Sequence, residues 1–223
     1  MRNKLSLQAL TKTIMGFVFI CVLLFLPAGT FRYWNAWLFM AVLFVPMIIL
    51  GIVMLFKSPD LLKKRLDAKE KEGEQKWVVA LSGIMFMAAF VVAALNFRFS
   101  WHSLPDYVIW IGVVFFLLSY LIYAEVMREN AFLSRTIEIQ ENQKVIDTGL
   151  YGIVRHPMYS ATLIMFLSIP LILGSLISFF IMLAYIPIIA IRINNEERVL
   201  EKGLKGYKEY KQKVRYKLIP FIW

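Results

Sequence analysis

Long uncharged blocks separated by short charged stretches organise this chain. Residues 37–56, 77–97 and 107–124 contain no Asp, Glu, Lys, Arg or His. A helix needs ~20 apolar residues to cross a hydrocarbon core ~30 Å thick, so each block predicts a transmembrane helix. Residues 13–29 form a fourth uncharged block. It lacks the small-residue cleavage site of a secretory signal and is expected to persist as the first span. Residues 159–191 run for 33 positions without a charge, too long for one straight crossing. Pro170 and the Gly174-Ser175 pair near the middle favour a reversal, which predicts a helical hairpin. Each arm is slightly short for a full span, so the pattern leaves open whether the tip crosses. The expected fold is all-α: a polytopic integral membrane protein with four transmembrane helices plus a C-terminal hairpin, five to six spans in all.

Composition agrees, since 60% hydrophobic residues lie far above the content of an ordinary soluble domain. The net charge of +10 would suit nucleic acid only on a basic water-soluble domain, and the charges lie in loops instead. With the amino terminus inside and the hairpin crossing, 23 of the 25 Lys and Arg fall on one side, leaving Arg32 and Arg98 opposite. The positive-inside rule makes the crowded side cytoplasmic, along with both termini. Trp34, Trp37, Trp77, Trp101, Tyr107 and Trp110 flank the spans as an interfacial belt. Cys21 is alone in an apolar block and reads as a small buried hydrophobe. Two histidines and no spaced carboxylate set argue against a metal centre.

Between the spans, residues 57–76 alternate in charge and predict a solvated helical linker. Glu125 lies just past the fourth span, where it reaches interfacial water or faces a site. His102 falls in an outer turn and reads as a solvated loop residue. Residues 136–140 alternate as a short extended piece would, Glu141-Asn142-Gln143 turns, and the segment leads on into Gly149. Beyond Glu197 the tail is amphipathic, with Val199, Leu200, Leu204, Tyr207 and Val214 near helical spacing; it is expected to lie on the membrane surface. Two regions follow: transmembrane helices over 1–130, and a region carrying the chemistry over 131–223.

Polar side chains are costly where a helix enters a bilayer, so Arg155, His156, Tyr151 and Tyr159 at the doorstep of the hairpin mark a candidate site. Proline is welcome at the first helical position and pushes its predecessor away from helical geometry, so a helix should begin at Pro157. Free amides and the helix dipole there would seat a carboxylate or phosphate. Gly149 and Gly152 permit a tight backbone around Tyr151. At the far end of the hairpin, Arg192 and Glu196 share one helix face. They read either as an ion pair or as a site, and the basic residue precedes the acidic one, the weaker order for a helical pair.

These motifs in this order resemble the isoprenylcysteine carboxyl methyltransferase family and its relatives among membrane methyltransferases. The resemblance covers the C-terminal part of the chain. It rests on Gln140, Thr148-Gly149-Leu150-Tyr151, Arg155-His156-Pro157-Met158-Tyr159, Arg192 with Glu196-Glu197, and the Gly206-Tyr207, Tyr210, Val214-Arg215-Tyr216 and Ile219-Pro220 ending. It implies S-adenosylmethionine as cofactor, cradled by Gln140, Gln143, Lys144, Val145, Ile146, Tyr151, His156, Pro157, Met158, Tyr159 and Glu196. Arg192 would bind the methyl acceptor as the catalytic residue. Ala161 stands where many members carry glycine, and the Leu204-Lys-Gly-Tyr207 turn is shorter than the eukaryotic one. The chain therefore resembles a bacterial, inner-membrane branch whose lipophilic or small acceptor need not be a prenylated protein. Thiol or phospholipid methylation, an NADPH-dependent membrane sterol reductase and a non-enzymatic transporter or scaffold are the alternatives.

Overall fold

The computed structural model describes residues 2–66, 73–133 and 139–223. Five stretches among them are long and apolar enough to cross a membrane: Asn3–Ala28, Trp34–Lys57, Lys76–Phe99, Asp106–Glu129 and Leu176–Gly203. The helices are α1 (Arg2–Ala28), α2 (Trp34–Lys57), α3 (Pro59–Leu66), α4 (Gly73–Phe99), α5 (Asp106–Glu129), α6 (Pro157–Ile172), α7 (Leu176–Met182), α8 (Tyr185–Gly203) and α9 (Tyr207–Lys213). No strand forms among the described residues, and the chain is an all-helical polytopic membrane protein. Apolar side chains face both ways. Phe39, Phe116, Ile172 and Met182 are fully buried between helices, whereas Leu26 and Leu121 point outward. That is the distribution a lipid-immersed bundle requires, because lipid tails leave outward apolar groups no reason to hide.

The hairpin resolves as α6 returning through α7 and α8. Its tip meets the α4–α5 connection, where Leu104 N donates to Gly174 O at 3.2 Å and Ser103 pairs with Ser175. The tip thus reaches the far end of the bundle. Gly174 takes φ +73°, and Ser175 N closes the reversal on Pro170 O. Carbonyls loosened at such a bend have no water to bond inside a bilayer. Here the start of α2 and the residue before it supply the donors: Tyr33 Oη reaches Leu173 O at 2.6 Å and Asn35 Nδ2 reaches Ile172 O at 2.9 Å. Gly112 of α5 lets α6 approach closely, since a Cβ there would sit 2.9 Å from Leu171 Cβ.

Helix α6 has 16 residues against 24 in α5, or about 24 Å against about 36 Å at 1.5 Å per residue. α5 begins and α6 finishes at the far side, so the start of α6 lies recessed behind the end of α5. That recess, at the basic end of the bundle, is occupied by residues 139–156 and the tail.

Smaller expectations resolve in the same way. Cys21 Sγ lies 3.7 Å from Met40 Sδ between α1 and α2. Glu125 pairs with Arg128 at 2.6 Å on an exposed face and takes no part in the recess. The Asn96 side chain bonds the His102 backbone. The charged linker is helical at α3 and again from Gly73, while 67–72 lie outside the described residues, as do residues 136–138 of the expected extended piece. The tail departs from expectation. Leu204, Tyr207, Tyr210 and Val214 bury against Val145 and Leu200, so the apolar face expected on the membrane surface is covered by protein.

Candidate active site

Pro157 opens α6 at its first position, with His156 in non-helical geometry before it. The amides around this start are mostly spent internally. Arg155 N and His156 N donate to Tyr216 O and Lys217 O at 2.9 Å each, and Tyr159 N and Ser160 N turn back onto His156 O. The expected anion seat at the helix start is therefore largely filled by the returning tail.

Behind this junction lies a buried ionic cluster. Glu197, 3% exposed, accepts from Arg155 Nε at 2.7 Å and contacts His156 Nε2 at 3.2 Å. Lys211 and Lys217 Nζ each lie 3.6 Å from its second oxygen. Arg155 also donates to Val214 O and Arg215 O at 2.8 and 2.7 Å. Buried charges persist only when paired and hydrogen-bonded; Arg155 and His156 join the start of α6 to α8, and Lys211, Lys217, Val214 O and Arg215 O tie the tail to both.

Glu196, one residue earlier, faces the other way into a cleft. Its carboxylate accepts from Tyr159 Oη at 2.5 Å, and Tyr159 Oη in turn accepts from Arg192 Nε at 2.9 Å. The cleft encloses about 840 Å³ counting its open mouth. Its wall includes Gln143, Lys144, Val145, Ile146, Tyr151, His156, Pro157, Met158, Tyr159, Arg192 and Glu196, eleven of the twelve residues singled out from sequence. Gln140 is the exception. It accepts from Lys64 Nζ at 2.5 Å and donates to Phe132 O, so it fastens the 139–146 segment to α3 from behind.

Asn130, Phe132 and Leu133 add to the wall without a sequence signal, together with Leu200 and Leu204 of the amphipathic tail pattern. Asn130 Nδ2 donates to Tyr151 Oη at 2.9 Å, which leaves the tyrosine proton available to a ligand. Burial pushes the Tyr151 hydroxyl up to about 12, although the Asn130 bond pulls against it, so it stays protonated. The turn carrying Tyr151 is a single 3-10 turn, Gly149–Gly152, held by Glu129, whose carboxylate accepts from Leu150 N at 3.1 Å. Tyr210 Oη donates to Tyr151 O at 2.8 Å and so brings the tail to the same turn. Tyr207 also lines the cleft, and its buried hydroxyl has no hydrogen-bond partner among the described residues. Both tail tyrosines belong to the Gly206-Tyr207 and Tyr210 motif, which was the available signal.

A second groove adjoins the first through Met158, Tyr159 and Arg192. It runs between α4, α6 and α8, is mainly apolar, and holds about 1050 Å³ counting its opening. Thr162 Oγ1 and Tyr185 Oη, 3.2 Å apart, are paired within it. Among the described residues no group of three or more His, Cys, Asp or Glu could hold a metal ion.

Residues 107–206 match the family model described as phospholipid methyltransferase, a stretch from α5 to the start of α9 that contains Arg192, Glu196 and most of the cleft. The Delta(14)-sterol reductase TM7SF2 of Mus musculus is 32% identical over 91 residues. That alignment spans 40% of this chain and only 22% of the mouse protein. Residues 107–206 are thus similar to phospholipid methyltransferases, and part of the chain is similar to a short part of a sterol reductase.

Proposed function

We propose that this protein is an integral membrane methyltransferase that uses S-adenosylmethionine to methylate a lipophilic or small acceptor, with an isoprenylcysteine-like carboxylate as the leading candidate. The observation that carries this reading is the meeting of eleven sequence-selected residues around one cleft. The donor set fits the cofactor. Glu196 offers a carboxylate to a cationic ligand, and the unpartnered, buried Tyr207 hydroxyl offers a hydrogen bond that nothing else there uses. When bound, S-adenosylmethionine supplies a methyl group on a sulfonium. In our reading Gln143–Ile146, Tyr151 and His156–Tyr159 hold it on one side and Glu196 on the other.

Arg192 stands where cleft and groove meet and would orient an acceptor anion by a bidentate contact. An ionised carboxylate or thiolate needs no strong general base, and aligning donor with acceptor is much of the work in such a displacement. We read residues 1–130 as the membrane scaffold and 131–223 as the cofactor-binding region, with both termini in the cytoplasm of a bacterial cell.

The sterol reductase similarity supports a second reading, an NADPH-dependent reduction. Glu196 weighs against it. A cofactor with several phosphate charges would meet this carboxylate inside the cleft, while Arg155 is already committed to Glu197 and to main-chain carbonyls. Calorimetric titration of detergent-purified protein separates the two. Heat with S-adenosylmethionine and none with NADPH is expected, and the reverse result overturns the proposal. Glu196→Gln should weaken cofactor binding, whereas Arg192→Ala should leave binding intact and abolish methyl transfer.

A further inference from the structure

The helical part of the tail buries its apolar face against protein, but the turn that follows presents a second apolar face that stays open. Phe221 and Ile222 are 88% and 77% exposed, and Ile219 and Trp223 are exposed beside them. The four belong to one closed turn. Leu218 N and Ile219 N both donate to Trp223 O, and Ile222 N returns to Ile219 O. The Tyr216 ring packs on Phe221 with centroids 5.3 Å apart, and the Lys217 ammonium lies 4.9 Å from the centre of the Trp223 ring. An apolar patch held open in this way marks an interaction surface.

The level of the turn along α6 and α8 indicates its partner. Arg155 N donates to Tyr216 O, His156 N to Lys217 O, and Ser160 Oγ to Leu218 O at 2.6 Å. Successive tail residues thus pair with residues successively deeper along α6, whose uncharged stretch begins at Tyr159. Leu218 itself is buried in the core of the bundle with Tyr159, Ile189 and Ile193. On α8, Lys217 Nζ donates to Asn194 Oδ1 at 2.6 Å. Asn194 lies three residues past Ile191, the last residue of the uncharged stretch, and both are exposed. The turn therefore sits where α6 and α8 pass from an apolar to a polar surface. A bilayer offers its interfacial zone at that level, where aromatic rings settle among headgroups and a lysine reaches outward to water. We propose that residues 219–223 insert Phe221, Ile222 and Trp223 into the interfacial zone of the bilayer and anchor the tail to the membrane. The anchored segment continues from Leu204, Tyr207 and Tyr210, which wall the cleft. The anchor holds whatever chemistry the cleft performs.

Cys21 is the one cysteine, so Cys21→Ala with Ile222→Cys gives the full-length protein a single thiol at the turn. A polarity-sensitive fluorophore is attached there, and the protein is reconstituted into phosphatidylcholine vesicles at a high ratio of lipid to protein. Three quenchers are compared: a phosphatidylcholine with a nitroxide near the head of its acyl chain, one with the nitroxide near the chain end, and iodide on both sides of the membrane. The shallow nitroxide should quench the label severalfold more strongly than the deep one, and iodide should quench it weakly. Phe221→Cys, labelled in the same way, should give the same order, so the test does not hang on one substitution. Gln212→Cys, at an exposed position of α9, should show strong iodide quenching and little from either lipid. Labels at the turn that iodide quenches as fully as the Gln212 label place the turn in water and overturn the anchor. Stronger quenching by the deep nitroxide also overturns it, since the turn would then lie in the hydrocarbon core. Labels that no quencher reaches overturn it as well, because a second copy of the chain or another protein would then cover the face.

Discussion

Glu197 offers the sharpest test of how the tail shapes the cleft. Glu197→Ala removes a carboxylate 3% exposed that receives Arg155 at 2.7 Å and contacts His156 at 3.2 Å. Arg155, itself 5% exposed, would keep its two bonds to Val214 O and Arg215 O but lose its counter-charge. Removing one partner of a buried ion pair costs about 3–5 kcal/mol. The surviving carbonyl bonds place this case at the lower end, about 3 kcal/mol. Global melting is a poor reporter, because the bundle is held mainly by α1–α8. The cost should fall on the tail, whose main chain closes on Arg155 and His156 through Tyr216 O and Lys217 O.

The assay is hydrogen exchange read by mass spectrometry over the peptide that contains Tyr210 and Val214. Tyr210 N and Val214 N are bonded to Gly206 O and Tyr210 O, so their exchange reports opening of α9. A loss of about 3 kcal/mol corresponds to a protection loss of roughly a hundredfold. Replacing both partners by apolar residues, Arg155→Met with Glu197→Leu, should recover much of the protection, since no unpaired charge is then buried. If Glu197→Ala leaves exchange in this peptide unchanged, the Glu197 carboxylate does not hold the tail and the reasoning fails.

Three further outcomes are expected. Tyr207→Phe removes a buried hydroxyl that lacks a partner, so the ligand-free protein should melt at the same temperature or slightly higher, while S-adenosylmethionine affinity falls by about 1 kcal/mol or more in calorimetry. Gly149→Ala places a Cβ at φ +49° against the Glu129 carboxylate, which must swing off Leu150 N; a cost of about 1–2 kcal/mol in thermal unfolding and weaker cofactor binding should follow, with part of the stability regained in a Glu129→Ala background. The Lys213 ammonium, 2.6 Å away, holds the Asp147 carboxyl below its usual range, so the bridge stabilises the fold above the ordinary aspartate range and is lost as pH falls through the lowered value. The difference in melting temperature between wild type and Asp147→Asn should therefore shrink on acidification below about pH 4 and stay constant above it.

Much of this site is legible in the chain because its parts obey local rules. Pro157 lacks an amide hydrogen and is best placed at the first position of a helix, which marks the mouth of α6. Gly149 takes a positive φ in the turn around Tyr151. The rest depends on partners distant in sequence. Glu196 and Glu197 are neighbours on α8, and local pattern gives no ground for sending one into the cleft and the other to the tail. Arg155 decides it, because it sits buried on the far side and needs an anion. The amphipathic tail has the same apolar face whether lipid or protein covers it. Val145 and Leu200 cover it here, and periodicity carries no record of them. Gln140 is drawn off by Lys64, 76 residues upstream, and Asn130 reaches Tyr151 across 21 residues, neither within any short motif.

The shortness of α6 links these features to chemistry. A helix of full length would carry His156 and Tyr159 to the edge of the bundle, into headgroups and water. Starting the helix late, while α7 and α8 return to full height, sinks Tyr159 to a level where one face meets the cleft and the other the groove. Residues 107–206 supply most of the cleft and one side of the groove. The opposing side comes from α3 and α4, with Arg65, Val78 and Phe86 outside that segment. Changes in α3 and α4 can therefore alter which amphiphile reaches Tyr159 without disturbing Glu196, Tyr151 or Tyr207. On the methyltransferase reading such a chain can keep one donor site and change acceptors, so exchanging α4 between relatives should move acceptor preference while S-adenosylmethionine affinity stays fixed.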